Sequence, residues 1–151
     1  VAFTEKELVE DFLADGLQGK GWRFVPADGL ERDTYDEPLL TPILIRSIER
    51  LNPAIGLGEE EVHRVVNELR LTPTGAEGSK RILGFLGFGV PIKIDRDKVV
   101  RYIRLFDFHD VDRNDFIVTR QAIFQGRERI RTDIFLYVNG IPLVSIECKN
   151  P

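Results

Sequence analysis

The residues best suited to chemistry lie near the C-terminal end: Asp133 at the start of one apolar, strand-like run, and Glu147 and Lys149 at the close of the next. Glu147 and Lys149 are two positions apart, so on a strand their side chains face the same way. Two carboxylates and an ammonium brought round one point can hold Mg²⁺ through oxygen ligands while the lysine orients or deprotonates a water. That is phosphodiester-cleaving chemistry. A Glu-x-Lys pair is common on solvated strand faces. What distinguishes this one is its apolar surroundings and the acidic residue at the right spacing before it.

Whether the three residues share a face depends on the register of the intervening hairpin. A two-residue Asn139-Gly140 loop would pair Val138 with Ile141 and set Asp133 opposite Ile146, facing away from Glu147. A three-residue loop of Val138, Asn139 and Gly140, with Gly140 left-handed in a G1 bulge, pairs Tyr137 with Ile141 and Asp133 with Ser145. Asp133, Glu147 and Lys149 then share one face, and Ile134, Leu136, Val144, Ile146 and Cys148 share the other. Hydrophobic pattern and chemistry agree, so the bulged turn is expected and Cys148 should point into the core. A two-residue loop without a compensating bulge would separate the carboxylates.

The elements that must position these residues are legible upstream. Thr4 as N-cap, Glu7 as its capping-box partner, and Phe3 and Leu8 as a hydrophobic staple start a helix. Its apolar stripe reads Leu8, Val9, Phe12, Leu13 and Leu17, with Glu10 on the border and Gly16, Gly19 and Gly21 marking the end. A second helix begins at Thr41-Pro42 and ends near Asn52-Pro53. A third follows Gly58, with Glu59, Glu60 and Glu61 in its first turn and Thr72-Pro73 as its stop. A short fourth is expected over 79–88. Strands are expected over 99–108, 116–124, 132–138 and 142–149. Helices first and strands after give α+β order, with a central mostly antiparallel or mixed sheet flanked by helices.

Composition bounds the function. With 151 residues and a 42% hydrophobic fraction the chain matches one ordinary domain. Its apolar runs are too short for a membrane span or a secretory core, and a cytoplasmic location is expected. One cysteine, Cys148, excludes an internal disulfide framework, and two histidines, His63 and His109, make a histidine-based metal site a poor fit. The net charge of -4 hides a division: residues 1–77 carry 8 Lys/Arg against 16 Asp/Glu, and residues 78–151 carry 13 against 9. Arg127, Arg129 and Arg131 alternate beside the candidate site. They could meet phosphates, and protection of an edge strand by charge explains them equally well.

The runs Asn114-Asp115-Phe116-Ile117-Val118 with Gln121 beyond, Asp133 through Leu143, and Ile146-Glu147-Cys148-Lys149-Asn150-Pro151 resemble the N-terminal nuclease domain of the R subunit of type I restriction enzymes, in the PD-(D/E)xK superfamily. The resemblance implies a restriction-endonuclease-like core and Mg²⁺-dependent cleavage of double-stranded DNA. It implies that Asp133 and Glu147 ligate the metal and that Lys149 completes the catalytic set. Glu10 matches the family's first-helix glutamate by its spacing to Gly21-Trp22 and would join the metal ligands. Asn114 and Gln121 match a further family motif, and Gln121 joins the three arginines as a DNA-binding candidate. Thr132 stands where the family often has proline, and Cys148 where it usually has an aliphatic residue. The implied partners are the modification and specificity subunits of the complex, with ATP handled by motor domains elsewhere in the parent subunit. No Gly-x-x-x-x-Gly-Lys-Ser/Thr occurs in this chain. The expected layout is a first core helix and strand over 1–27, a helical insertion over 28–90 and core strands with the site over 91–151. The core is expected to continue past the Glu-x-Lys strand, so that the chain reads as a fragment. The competing expectation is a catalytically inactive docking module of the same fold, which a closed Glu147–Lys149 salt bridge would favour.

Overall fold

Thr4 begins the first helix as its spacing requires. In a computed structural model, which describes residues 4–149, the Thr4 hydroxyl accepts the Glu7 N–H at 3.2 Å and the Glu7 carboxylate accepts the Thr4 N–H at 2.8 Å. Phe3, the other half of the expected staple, lies outside the described residues. The described elements run α1 (Glu5–Gln18), β1 (Arg23–Phe24), α2 (Thr41–Leu51), α3 (Glu59–Arg70), α4 (Ala76–Phe88), β2 (Val90–Ile94), β3 (Val99–Ile103), β4 (Phe116–Arg120), β5 (Ile123–Gln125), β6 (Arg129–Arg131), β7 (Ile134–Val138) and β8 (Ile141–Ile146). No helix among the described residues is long and apolar enough to cross a membrane.

These elements form two units, one of residues up to Leu40 together with those from Asp115 onward, the other Thr41–Asn114. The division departs from the expected 28–90 insertion at both ends. Residues before Thr41 stay with the first unit, where the Leu40 N–H donates to the Gly140 carbonyl at 2.9 Å. The β2–β3 hairpin pairs only with itself among the described strands and packs on α3, so it belongs with the helices.

Within the Thr41–Asn114 unit, α2 buries Ile43, Leu44, Ile48 and Leu51, and α3 buries Val62, Val65, Val66 and Leu69, each set at helical spacing. The Glu61 carboxylate caps α3 by accepting the Gly58 N–H at 2.8 Å. β2, which the sequence reading passed over, alternates buried Val90, Ile92 and Ile94 with exposed Pro91 and Lys93. Asn52 is buried and ties the end of α2 to Arg104, donating to its carbonyl at 2.9 Å and accepting its N–H at 2.8 Å. Asn114 does the same for the loop before it, accepting the Asp107 N–H and donating to the Asp107 carbonyl, both at 2.8 Å.

The first unit carries a four-stranded mixed sheet in the order β1-β4-β7-β8, with β1 parallel to β4 and the other neighbours antiparallel. The α+β class and mixed sheet are as expected. Helix α1 packs on one face, its half-buried Leu13 and Leu17 meeting Val118, Ile134, Leu136 and Cys148. The expected apolar stripe holds at Leu13 and Leu17 but not in its first half. Leu8, Val9 and Phe12 are 55%, 47% and 76% exposed, while Glu10 and Ala14 are buried. The face turned to the sheet follows Glu10, Ala14 and Leu17, an i, i+4, i+7 row centred on a carboxylate.

The expected hairpin turn is also corrected. Asn139 (φ 53°) and Gly140 (φ 80°) form a two-residue loop that pairs Val138 with Ile141 and Tyr137 with Pro142. The register then shifts, and Leu136 faces Val144, Phe135 faces Ser145 and Ile134 faces Ile146, leaving Leu143 as the extra residue of a bulge. The tight loop is fixed by Asn139, fully buried, whose side chain accepts the Asp115 N–H at 2.7 Å and whose own N–H donates to the Asp115 carbonyl at 2.8 Å. The bulge falls beside Pro142, which has no N–H to offer the ladder. The face assignment of Ile134 with Ile146 and Leu136 with Val144 therefore survives by a different route.

Replacing Asn139 by alanine removes a buried acceptor and puts a Cβ residue with no local hydrogen bond in the left-handed region. Asn139→Ala should lower stability by about 2 kcal/mol, read as a shifted midpoint in urea unfolding.

Candidate active site

Glu10 is 1% exposed, among the most buried large side chains of the molecule. Its Oε2 accepts from Arg120 at 3.0 Å and from the Gln121 amide at 2.8 Å. Arg120 also bridges to Asp11. Burial alone would lower the Arg120 pKa, but the bonds to Glu10 and the charge of Asp11 raise it above the ordinary arginine value. Gln121 follows the last residue of β4 in the left-handed region, at φ 56°, a conformation that non-glycine residues rarely adopt. That kink ends the apolar run expected as one strand over 116–124 and splits it into β4 and β5. The Gln121 N–H donates to the Asp133 carbonyl at 3.1 Å, which links the Glu10 support to the next acidic residue. Glu10 Oε1 has no hydrogen-bond partner among the described residues.

Asp133 occupies a bend just before β7 and is 8% exposed. Its Oδ1 lies 2.7 Å from the Lys6 ammonium and its Oδ2 accepts the Cys148 N–H at 2.7 Å. Burial pushes its carboxyl pKa upward, but the bonds from Lys6 and Cys148 and the Lys6 charge outweigh that and hold it below the ordinary aspartate value. Lys6 stands one helical turn before Glu10. Its hydrogen bond to Asp133 raises its pKa despite partial burial, with the Asp133 and Glu10 charges adding to the effect. Cys148 is buried in the cluster under α1, as expected. Burial and the charges of Glu10 and Asp133 raise its thiol pKa, so it is no thiolate nucleophile at neutral pH.

Lys6 is thus ion-paired to Asp133 and lies within electrostatic reach of Glu10. Glu147 and Lys149 do not close on them. The ladder ends at Ile134 and Ile146, and both residues follow it, exposed and, among the described residues, without an ion pair. The closed Glu147–Lys149 bridge that would mark an inactive docking module is absent among the described residues. No group of three or more His, Cys, Asp or Glu side chains there stands close enough together to hold a metal ion. The fit to a divalent cation rests on three features. The donors are carboxylate oxygens suited to a hard ion, one of them is buried without a hydrogen-bond partner among the described residues, and Lys6 already places a positive charge on Asp133. Glu147 is exposed and would join these oxygens only with its side chain turned inward.

Arg129 and Arg131 alternate on β6 around exposed Ile130, and Arg127 lies in the turn before them; all three arginines are exposed. Arg131 is close enough to act electrostatically on both Lys6 and Asp133. Gln121 is directed inward onto Glu10. Lys6 and Arg120 are the site residues that sequence reasoning missed. The i, i+4 spacing of Lys6 and Glu10, and the cation next to Gln121 at a strand end, were the available signals.

A family model described as type I restriction enzyme R protein N terminus matches residues 2–151. The chain is 27% identical over 145 residues to the putative type I restriction enzyme MjaVIIIP endonuclease subunit of Methanocaldococcus jannaschii, which covers 93% of this chain and 14% of that protein. It is 28% identical over 163 residues to the putative MjaIXP endonuclease subunit of the same organism, covering 98% of this chain and 15% of the relative. With the type I restriction enzyme HindI endonuclease subunit of Haemophilus influenzae it shares 26% identity over 156 residues, covering 95% of this chain and 15% of the relative. The chain therefore spans about one-seventh of the length of these relatives.

Arg120→Met would leave the Glu10 carboxylate buried without its cation and should cost about 3 kcal/mol. Glu10→Gln in the same background should recover part of that loss in urea unfolding. The Asp133 pKa is depressed on folding, so its contribution to stability is present above the unfolded aspartate pKa of about 3.9 and is lost as pH falls through the lower folded value. The difference in unfolding free energy between wild type and Asp133→Asn should accordingly be largest near neutral pH and shrink below about pH 4.

Proposed function

Because the chain belongs to the type I restriction enzyme R protein N-terminus family, we propose that it is the nuclease part of an R subunit, cutting double-stranded DNA with Mg²⁺ inside an ATP-driven complex that also contains modification and specificity subunits. The observation that carries this reading is the pair of buried carboxylates, Glu10 with an oxygen unpartnered among the described residues and Asp133 held ionised, near the end of the sheet from which Glu147 and Lys149 emerge. The relatives are themselves named endonuclease subunits.

In this reading Asp133, Glu10 and Glu147 would hold the cation, which when bound supplies Lewis acidity toward the phosphate and a more acidic water. The chain's own residues do the rest. Arg120 and Gln121 fix Glu10 through Oε2 and so leave Oε1 available. The Lys6 ammonium and then the Cys148 N–H favour the anionic form of Asp133, and the Cys148 N–H fixes its orientation from a backbone that is itself anchored in the core. Lys149, exposed on its flexible stem, orients the attacking water or offsets charge developing on the phosphate. The arginines of the β5–β6 hairpin meet the DNA backbone, which positions the duplex without reading its sequence.

Asp133→Ala or Lys149→Ala, introduced into the R subunit assembled with its partner subunits, should reduce DNA cleavage at least about 100-fold and leave ATP hydrolysis intact. Loss of both activities, or of neither, refutes the assignment.

A further inference from the structure

Both oxygens of Asp133 are already engaged, one by the Lys6 ammonium at 2.7 Å and the other by the Cys148 N–H at 2.7 Å. The two contacts are not equally permanent. The Cys148 N–H belongs to a backbone pinned by a buried side chain, whereas the Lys6 side chain is 34% exposed and ends a four-carbon stem with many rotamers. Glu10 lies one turn further along the same helix, buried and with Oε1 free of any hydrogen-bond partner among the described residues. Arg120 meets the Glu10 charge at Oε2, and Lys6 meets Asp133 while feeling the charge of Glu10, so each buried carboxylate has a cation supplied from within the chain.

We infer that Lys6 is a tethered counter-cation of Asp133, holding that carboxylate in place while no metal is bound and leaving it when a divalent cation enters. The inference rests on the metal reading given above and adds a residue to it. Lys6 is a positioning residue, acting through Asp133. An ammonium and a divalent cation compete for the same oxygen, so removing the ammonium strengthens metal binding, whereas a lysine serving as a permanent brace would weaken it on removal.

The test titrates Mn²⁺ calorimetrically into the wild-type protein, Lys6→Met and Asp133→Asn, and follows reductive methylation of Lys6 in the wild type by mass spectrometry with and without Mn²⁺. Lys6→Met should bind Mn²⁺ about ten-fold more tightly, Asp133→Asn should lose binding, and Mn²⁺ should accelerate modification of Lys6. If wild type binds Mn²⁺ through Asp133 but Lys6→Met binds it equally or more weakly, the role of Lys6 is overturned and the metal reading stands. If neither wild type nor Lys6→Met binds, or if Asp133→Asn binds as well as wild type, the metal reading falls and takes this inference with it. Should Lys6→Met fail to fold, the labelling rate of wild type decides, and an unchanged or slower rate at saturating Mn²⁺ overturns the inference.

Discussion

A carboxylate taken out of water has to be met by charge and hydrogen bonds at close range, and in this protein that requirement falls on Glu10. Arg120 and Gln121 meet it from the end of β4, and the consequences spread outward. The rotation of α1 about its own axis is set by turning Glu10 inward, which is why Leu8, Val9 and Phe12 face out. The same rotation brings Lys6, one turn earlier, onto Asp133. The left-handed Gln121 both aims its amide at Glu10 and stops β4, and its N–H ties that stop to the Asp133 carbonyl. One buried charge therefore fixes a helix rotation, a strand boundary and the partner of a second carboxylate.

The hairpin supplies the complementary constraint. Side chains alternate along a strand with a period of two, so an odd slip between β7 and β8 would have turned Glu147 and Lys149 away from the side that carries Asp133. The tight Asn139-Gly140 loop introduces such a slip and the extra residue Leu143 undoes it before the site is reached. Turn and bulge act as a pair, one fixed by the buried Asn139 side chain and the other by the missing N–H of Pro142. Beyond the last paired residues the acidic side chains separate in character, Asp133 held from two directions and Glu147 left in solvent.

Much of this was legible from local chemistry. The Thr4–Glu7 capping box, the starts of α2 and α3, the α+β order and the inward side chain of Cys148 all follow from rules that operate within a few residues. What escaped the sequence reading depended on tertiary partners. Periodicity assigned the α1 stripe by hydrophobicity and so put Glu10 at its edge; only Arg120, 110 positions away, makes a buried glutamate tolerable. The turn was misjudged because both loop lengths suit Asn-Gly, and the choice between them is made by Asp115, far away in sequence. Strand β2 was passed over because Pro91 and Lys93 interrupt its apolar residues, although these two occupy its exposed positions. Asn114 enters the sequence reading only through a family motif, and the structure gives it a role within its own loop.

Trp22 is the sole tryptophan of the chain. Its ring stands edge-on to Phe116 with centroids 5.1 Å apart, and it packs on the Val118, Ile134, Leu136 and Cys148 cluster beneath α1. Intrinsic tryptophan emission consequently reads the unit that carries the site and is blind to Thr41–Asn114, which contains no such fluorophore. An unfolding curve recorded by that signal belongs to one unit, and a helix-sensitive signal such as far-ultraviolet dichroism, dominated by α2, α3 and α4, belongs largely to the other. Superposition of the two curves, or its failure, is therefore a direct optical measure of whether the units melt as one cooperative body.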